Sequence, residues 1–213
     1  ISYFGFIRYR FWGDRSLSVR RLSEAHSGFF AFSDENLEWL KAEMKKYPDG
    51  RQASAVIPAL WRAQEQHGGW VPEPAIGVIA ELLNMPKMRV LEVATFYTMF
   101  NLQPVGKYFV QVCRTTPCWL RGSDFITEVC RQEISDQPNV VSEDGLFSWM
   151  EVECLGACSN APMVQINDEY YEDLTRENFT DLLRSFREGR DVKIGSQVGR
   201  TSSSPSYLDK KEA

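Results

Sequence analysis

The spacing of apolar residues along this chain changes character once, across Gln103–Gly106. Upstream, they recur at helical intervals. Ser33 is placed to cap a helix whose Leu37, Leu40 and Met44 share a face, ended by Pro48-Asp49-Gly50. A second helix is predicted through Ala53, Val56, Ile57, Leu60 and Trp61 to the stop at Gly68–Gly69, and Pro58 inside it predicts a kink or a late start. A third follows Pro74, with Ile76, Ile79 and Leu83 aligned. The fourth starts near Pro86 and includes EVATFYTMF, 92–100. That segment is apolar on nearly all sides, so burial is expected against both its own unit and something else. Four short helices make a small bundle.

Downstream, the apolar residues gather into short β-branched and aromatic runs. KYFVQVCR (107–114) and FSWMEVEC (147–154) read as strands, with a helix predicted between them over 122–134. PMVQI (162–166) and EYYEDL (169–174) flank Asn167–Asp168, a favourable two-residue hairpin turn. Thr175 caps a last helix bearing Phe179, Leu182, Leu183 and Phe186, closed at Gly189. The order β-α-β-β-β-α predicts a small sheet covered by two helices, for which the thioredoxin-like fold is one natural solution. The expected class is α+β. The expected parts are a basic aromatic extension (1–32), a helical domain (33–102), a sheet domain (103–190) and an extended Ser-, Lys- and Gly-rich tail (191–213).

Composition narrows the function. With 213 residues, 43% of them hydrophobic, the chain has material for a packed core. A net charge of −5 argues against general nucleic-acid binding, which needs a clustered basic face. No apolar run approaches the roughly 18–20 residues of a membrane span. Residues 1–32 depart from the rest: Arg8, Arg10, Arg15, Arg20 and Arg21 oppose only Asp14 and Glu24, and aromatic residues are interleaved. Such an Arg- and Ser-rich stretch resembles a mitochondrial presequence or its remnant. The plainer alternative is a basic arm lying on a partner. Because the first residue is Ile1, the chain is read as processed or partial.

The five cysteines hold the candidate chemistry. An odd number in a chain of this length does not look like a secreted disulfide framework. Cys113 ends the first predicted strand and Cys118 follows in the loop TTPCW; Cys154 ends the second and Cys158 follows in the loop GACSNAP. Adjacent strands would bring the two loops, and so four thiols, together. Four thiolates suit zinc or an iron–sulfur cluster. Structural zinc usually takes tighter C-x2-C knuckles; C-x4-C and C-x3-C are roomier, as a two-iron centre would want. Two ferric ions, two sulfides and four thiolates make a dianion, and one-electron reduction adds a further charge. Such a group needs hydrogen-bond donors around it. Small residues such as Gly156, Ala157 and Ser159 let backbone N–H groups approach the sulfurs. Arg114 and Arg121 either add positive potential or are solvated surface charges.

Other chemistries lack their parts. A thioredoxin-type redox pair needs C-x-x-C, haem attachment needs C-x-x-C-H, and a Rieske centre needs two histidines beside two cysteines. The only histidines, His26 and His67, lie far upstream of every cysteine. Two disulfides, Cys113–Cys118 and Cys154–Cys158, remain open but suit an oxidising compartment. Cys130 shares a helix face with Ile126 and Ile134 and is read as a buried core thiol. No carboxylate pair is placed for acid–base work.

The stretch DGLFSWMEVECLGACSNAP (144–162) resembles the signature of the 24-kDa subunit family of respiratory complex I, the NADH dehydrogenase flavoprotein 2 family. EVATFYTMF, PVGKY and VCRTTPC are similar to the same family, and the likeness runs from about residue 33 to 189. The resemblance implies a helical domain followed by a thioredoxin-like domain holding one [2Fe–2S] cluster, with Cys113, Cys118, Cys154 and Cys158 as ligands. It implies one-electron exchange with the FMN of a larger flavoprotein subunit, which also binds NADH, within a peripheral arm that includes a further iron–sulfur subunit. The chain has no G-x-G-x-x-G loop, so NADH and FMN are expected on the partner. The expected location is the matrix side of the mitochondrial inner membrane, as a peripheral subunit of an NADH:ubiquinone oxidoreductase. Alternatives are the equivalent subunit of a bacterial NADH-linked hydrogenase or formate dehydrogenase, in the cytoplasm, and a zinc-stabilised interaction module.

Overall fold

The computed structural model describes residues 20–23 and 28–203; the basic aromatic stretch before Arg20, and His26, lie outside the described residues. The first part is helical: α1 (Asp34–Met44), α2 (Val56–Gln66), α3 (Glu73–Leu82) and α4 (Lys87–Phe96). Ser33 caps α1 as expected, its hydroxyl accepting from the Asn36 N–H at 3.3 Å. Pro58 produces the late start rather than a kink. A short 3-10 turn over Gln52–Ala55 leads into α2, so Pro58 occupies the first turn, where a missing N–H breaks no helical bond. Leu40, Leu60, Ile76 and Ile79 are fully buried at the centre of this unit. Phe30 and Phe32 close one side of the same core, so this end of the expected extension packs with the helices.

The fourth helix is shorter than its sequence suggests. It stops at Phe96, and residues 97–100 turn back so that only Phe100 is fully buried. Phe96 is 77% exposed, so the segment EVATFYTMF is not buried on all sides within this chain. Arg20 explains the stop. Its guanidinium donates to the carbonyls of Thr95 at 3.1 Å and Tyr97 at 2.7 Å, and also to Phe100. The Thr95 and Tyr97 carbonyls are acceptors that the helix C-terminus leaves without intrahelical partners.

The second part is a sheet with helices on it. Its elements are β1 (Tyr108–Cys113), α5 (Thr116–Leu120), α6 (Ser123–Glu133), β2 (Phe147–Val152), β3 (Val164–Ile166), β4 (Glu169–Glu172), α7 (Arg176–Arg187) and β5 (Gly195–Ser196). The strand order is β2-β1-β3-β4-β5. β2 lies parallel to β1, β3 lies antiparallel to β1 and forms the predicted hairpin with β4, and β5 runs parallel to β4. Asn167 adopts a left-handed φ of 52° at the hairpin, a region asparagine tolerates well. Trp149, Phe147, Phe179 and Ile126 are fully buried between sheet and helices. The Trp149 indole N–H still donates to the Ser135 carbonyl at 2.9 Å, as a buried indole should.

Three local expectations change. Cys118 lies not in a loop but in α5, where Pro117 takes the second helical position. β2 ends at Val152, so Cys154 follows the strand rather than finishing it. The expected extended tail instead returns to the sheet: β5 pairs with β4, and residues up to Ser203 bond to it. Residues 204–213 lie outside the described residues.

Candidate metal centre

Parallel pairing of β1 with β2 places Cys113 opposite Val152, so the segments that follow the two strands leave the same end of the sheet. The first bears Cys113 and Cys118, the second Cys154 and Cys158. Cys113 and Cys118 are each 1% exposed and pack with Ala157, Ala161 and Met163 in a small apolar cluster separate from the main sheet core. Cys154 and Cys158 face solvent, their sulfurs 3.4 Å apart.

The four thiols form one interacting group. The Cys154 and Cys158 sulfurs lie within hydrogen-bond distance of each other, and Cys113 and Cys118 are near enough to influence each other's ionisation. Cys113 and Thr115 likewise influence the ionisation of Cys154, and Cys113 and Cys158 that of Cys118. Among the described residues, no three His, Cys, Asp or Glu side chains converge as a site for a single ion. The thiols stand instead as two neighbouring pairs.

Each pair contains one thiol held low and one pushed up. Burial raises the Cys113 pKa, but hydrogen bonds from the Thr115 hydroxyl and from the Thr115 and Leu155 N–H groups outweigh it, and the net shift is downward. The Thr115 hydroxyl lies 3.4 Å from the Cys113 sulfur. The Cys154 pKa falls chiefly because the Gly156 N–H donates to its sulfur at 3.4 Å. Gly156 reaches this position at φ 90°, a conformation costly for residues with a Cβ. Burial pushes the Cys118 thiol up to about 12, helped by its bond to Cys113, although the Met163 N–H works the other way. The Cys158 pKa rises because Cys154 is its hydrogen-bond partner. One readily ionised thiol in each pair, backbone donors aimed at sulfur and a partly apolar enclosure together fit a group that takes thiolate ligands and compensates their charge with amide N–H dipoles.

The remaining sequence candidates stand elsewhere. Cys130 is fully buried with Ile126 and Ile134 in the sheet core, and burial pushes its pKa up. His67 sits among the rings of Phe30 and Trp70, in the helical unit. Arg114 is engaged with Asp124 at 2.6 Å, Glu151 at 3.5 Å and the Ser123 hydroxyl at 3.1 Å. Sequence reasoning overlooks Thr115 and Tyr170. The Tyr170 hydroxyl donates to the Leu155 carbonyl at 2.7 Å and so anchors the loop between Cys154 and Cys158. Thr115 could have been found as the hydroxyl residue nearest Cys113; Tyr170, remote in sequence, gives no such signal.

Known proteins resemble the chain on three levels. A family model described as thioredoxin-like [2Fe-2S] ferredoxin matches residues 40–187. An NADH-quinone oxidoreductase subunit of Rhizobium meliloti (strain 1021) is 50% identical over 194 residues, covering 89% of this chain and 70% of that protein. The like-named NADH-quinone oxidoreductase subunit of Rickettsia bellii (strain RML369-C) is 54% identical over 158 residues, covering 74% of this chain and 95% of its own length. A crystal structure of an NAD+-reducing [NiFe]-hydrogenase in the H2-reduced state aligns with a TM-score of 0.54 at 18% identity. That alignment covers 63% of this chain and 23% of the hydrogenase chain, and it speaks to the fold alone.

Proposed function

Since the chain belongs to the thioredoxin-like [2Fe-2S] ferredoxin family, we propose that it is the electron-transfer subunit of an NADH:quinone oxidoreductase, with its [2Fe–2S] cluster held by Cys113, Cys118, Cys154 and Cys158. The observation that supports this most is that the two cysteine-bearing segments leave the same end of the sheet, where the ionisation of each of the four thiols responds to the others. When bound, such a cluster supplies a one-electron acceptor and donor.

The chain's own residues make that role workable. Cys113 and Cys118 hold their side of the site dry within the apolar cluster. The Gly156 and Leu155 N–H groups are directed at thiolate sulfur, where they favour additional negative charge. Trp119 and Leu120, on the helix that bears Cys118, are 53% and 70% exposed, an apolar surface beside the site that suits contact with another subunit. We place FMN and NADH on that partner, the large flavoprotein subunit, and count a further iron–sulfur subunit of the peripheral arm as a neighbour. Residues 33–102 and 103–190 are taken as the two domains.

The subunit is proposed to be peripheral; among the described residues, no helix is long and apolar enough to cross a membrane. The Arg-rich residues 1–32 favour the matrix side of a mitochondrial inner membrane, whereas the organisms of the two relatives favour a bacterial cytoplasm. Purification of the tagged full-length chain from its native source tests the function. A flavin-containing subunit should co-elute, and NADH should elicit a low-temperature paramagnetic signal from the complex. A chain recovered with zinc and without flavin would contradict the reading. The identity of the co-eluting subunits would also separate a quinone reductase from a hydrogenase or formate dehydrogenase.

A further inference from the structure

We propose that residues 195–203 form a strap that fixes the segment bearing Cys158, with Arg200 as its positioning residue, and that the strap sets the reduction potential and spectroscopic signature of the cluster. The inference rests on the reading of the four cysteines as cluster ligands.

The Cys158 segment is a single 3-10 turn, Cys158–Asn160, with little internal structure to hold it. Its fixation comes from outside. The Asn160 carbonyl accepts from the Asp173 N–H at 2.8 Å. The Asn160 side-chain amide donates to the Glu172 carboxylate at 2.6 Å and to the Thr201 carbonyl at 2.8 Å. Asn160 is only 3% exposed, so losing the Thr201 acceptor would leave a buried N–H unpaired.

Arg200 joins the strap to the turn most directly. One guanidinium nitrogen donates to Asp173 at 2.8 Å and the other to the Ser159 carbonyl at 3.2 Å, on the residue next to Cys158. A planar fork suits two acceptors in this way; an ammonium does not.

The strap also answers an electrostatic problem. Glu172 and Asp173 are adjacent carboxylates, 1% and 8% exposed, beside a site meant for an anion. Apart from the Asn160 amide on Glu172, their partners come from the strap. The Ser196 hydroxyl donates to Asp173 at 2.7 Å, and the Ser203 N–H donates to both Glu172 oxygens, at 3.1 and 3.2 Å. Buried carboxylates left without such donors would oppose the extra charge of a reduced cluster. Loss of Arg200 should therefore move the potential in the negative direction. The strap's shape depends on Gly195, which takes φ 81° and whose Cβ, if present, would lie 2.0 Å from the Ser202 hydroxyl.

The test uses the full chain with its cluster and compares wild type, Arg200→Gln, Arg200→Lys, Gly195→Ala and Arg187→Gln. Arg187 ties α7 to Glu133, away from the strap, so its variant controls for lost stability. The readouts are iron and sulfide content, the g values of the reduced state, and its midpoint potential by redox titration. Arg200→Gln and Gly195→Ala should shift the potential negative, alter the g values and release iron to a chelator several-fold faster. Arg200→Lys should recover part of the potential. Arg187→Gln should lower the thermal midpoint with g values and potential unchanged. Wild-type g values and potential in Arg200→Gln would overturn the proposal, as would an equal shift in Arg187→Gln. A wild-type chain lacking iron and sulfide would overturn the cluster reading itself, and the strap's role with it.

Discussion

Cys113 and Cys118 are immobilised by packing, Cys154 and Cys158 by polar ties. The first pair is buried among Ala157, Ala161 and Met163. The second faces solvent on a segment held by Tyr170, Asn160, Glu172 and Arg200. The difference shows how one site can be both enclosed and reachable. The buried side excludes water and packs into the fold. The exposed side leaves the site open to another subunit, and its geometry is set by hydrogen bonds that can be changed without opening the core.

Single substitutions should separate the two pairs. Cys118→Ala has the largest expected effect. It should abolish iron binding and also lower the stability of the metal-free chain by about 1 kcal/mol, because it empties a buried, well-packed position. Iron analysis and urea unfolding of the apo chain measure the two losses separately. Cys158→Ala should lose the cluster equally but leave apo stability within about 0.5 kcal/mol, as expected for an exposed site. Equal destabilisation by both variants would erase the contrast between packing and polar ties. Alkylation of the apo chain, followed by mass spectrometry, sharpens it further. Cys154 and Cys158 should be modified first and Cys130 last, since thiolate character and access govern the rate. The smallest expected effect is that of Cys130→Ala, which should keep full iron content and cost about 1 kcal/mol of stability. Loss of iron there would mean that the core behind β1 and β2, and not only the segments after them, shapes the site.

What the sequence made legible follows from period and punctuation. The switch from helical spacing to short β-branched runs marks where the helical unit gives way to the sheet, and Asn167–Asp168 marks the hairpin. The cysteine spacing singles out the four thiols, and the parallel pairing of β1 with β2 sets the two segments that bear them at the same end of the sheet. What stays hidden is tertiary. Thr116-Pro117 reads as loop punctuation, yet proline is equally at home in the first turn of a helix, and α5 starts there. Phe96 continues a helical pattern that Arg20, distant in sequence, cuts short. Residues 195–203 have the composition of a tail. Their order comes from buried carboxylates on β4 and just after it that no local pattern reveals.

Elemental analysis tests most simply whether the four thiols hold a two-iron cluster. Iron and acid-labile sulfide should be measured on the purified full-length chain, with zinc measured in parallel. Two irons and two sulfides per chain are expected, as the family's [2Fe-2S] cluster requires, with negligible zinc. One zinc per chain with no sulfide would contradict that expectation.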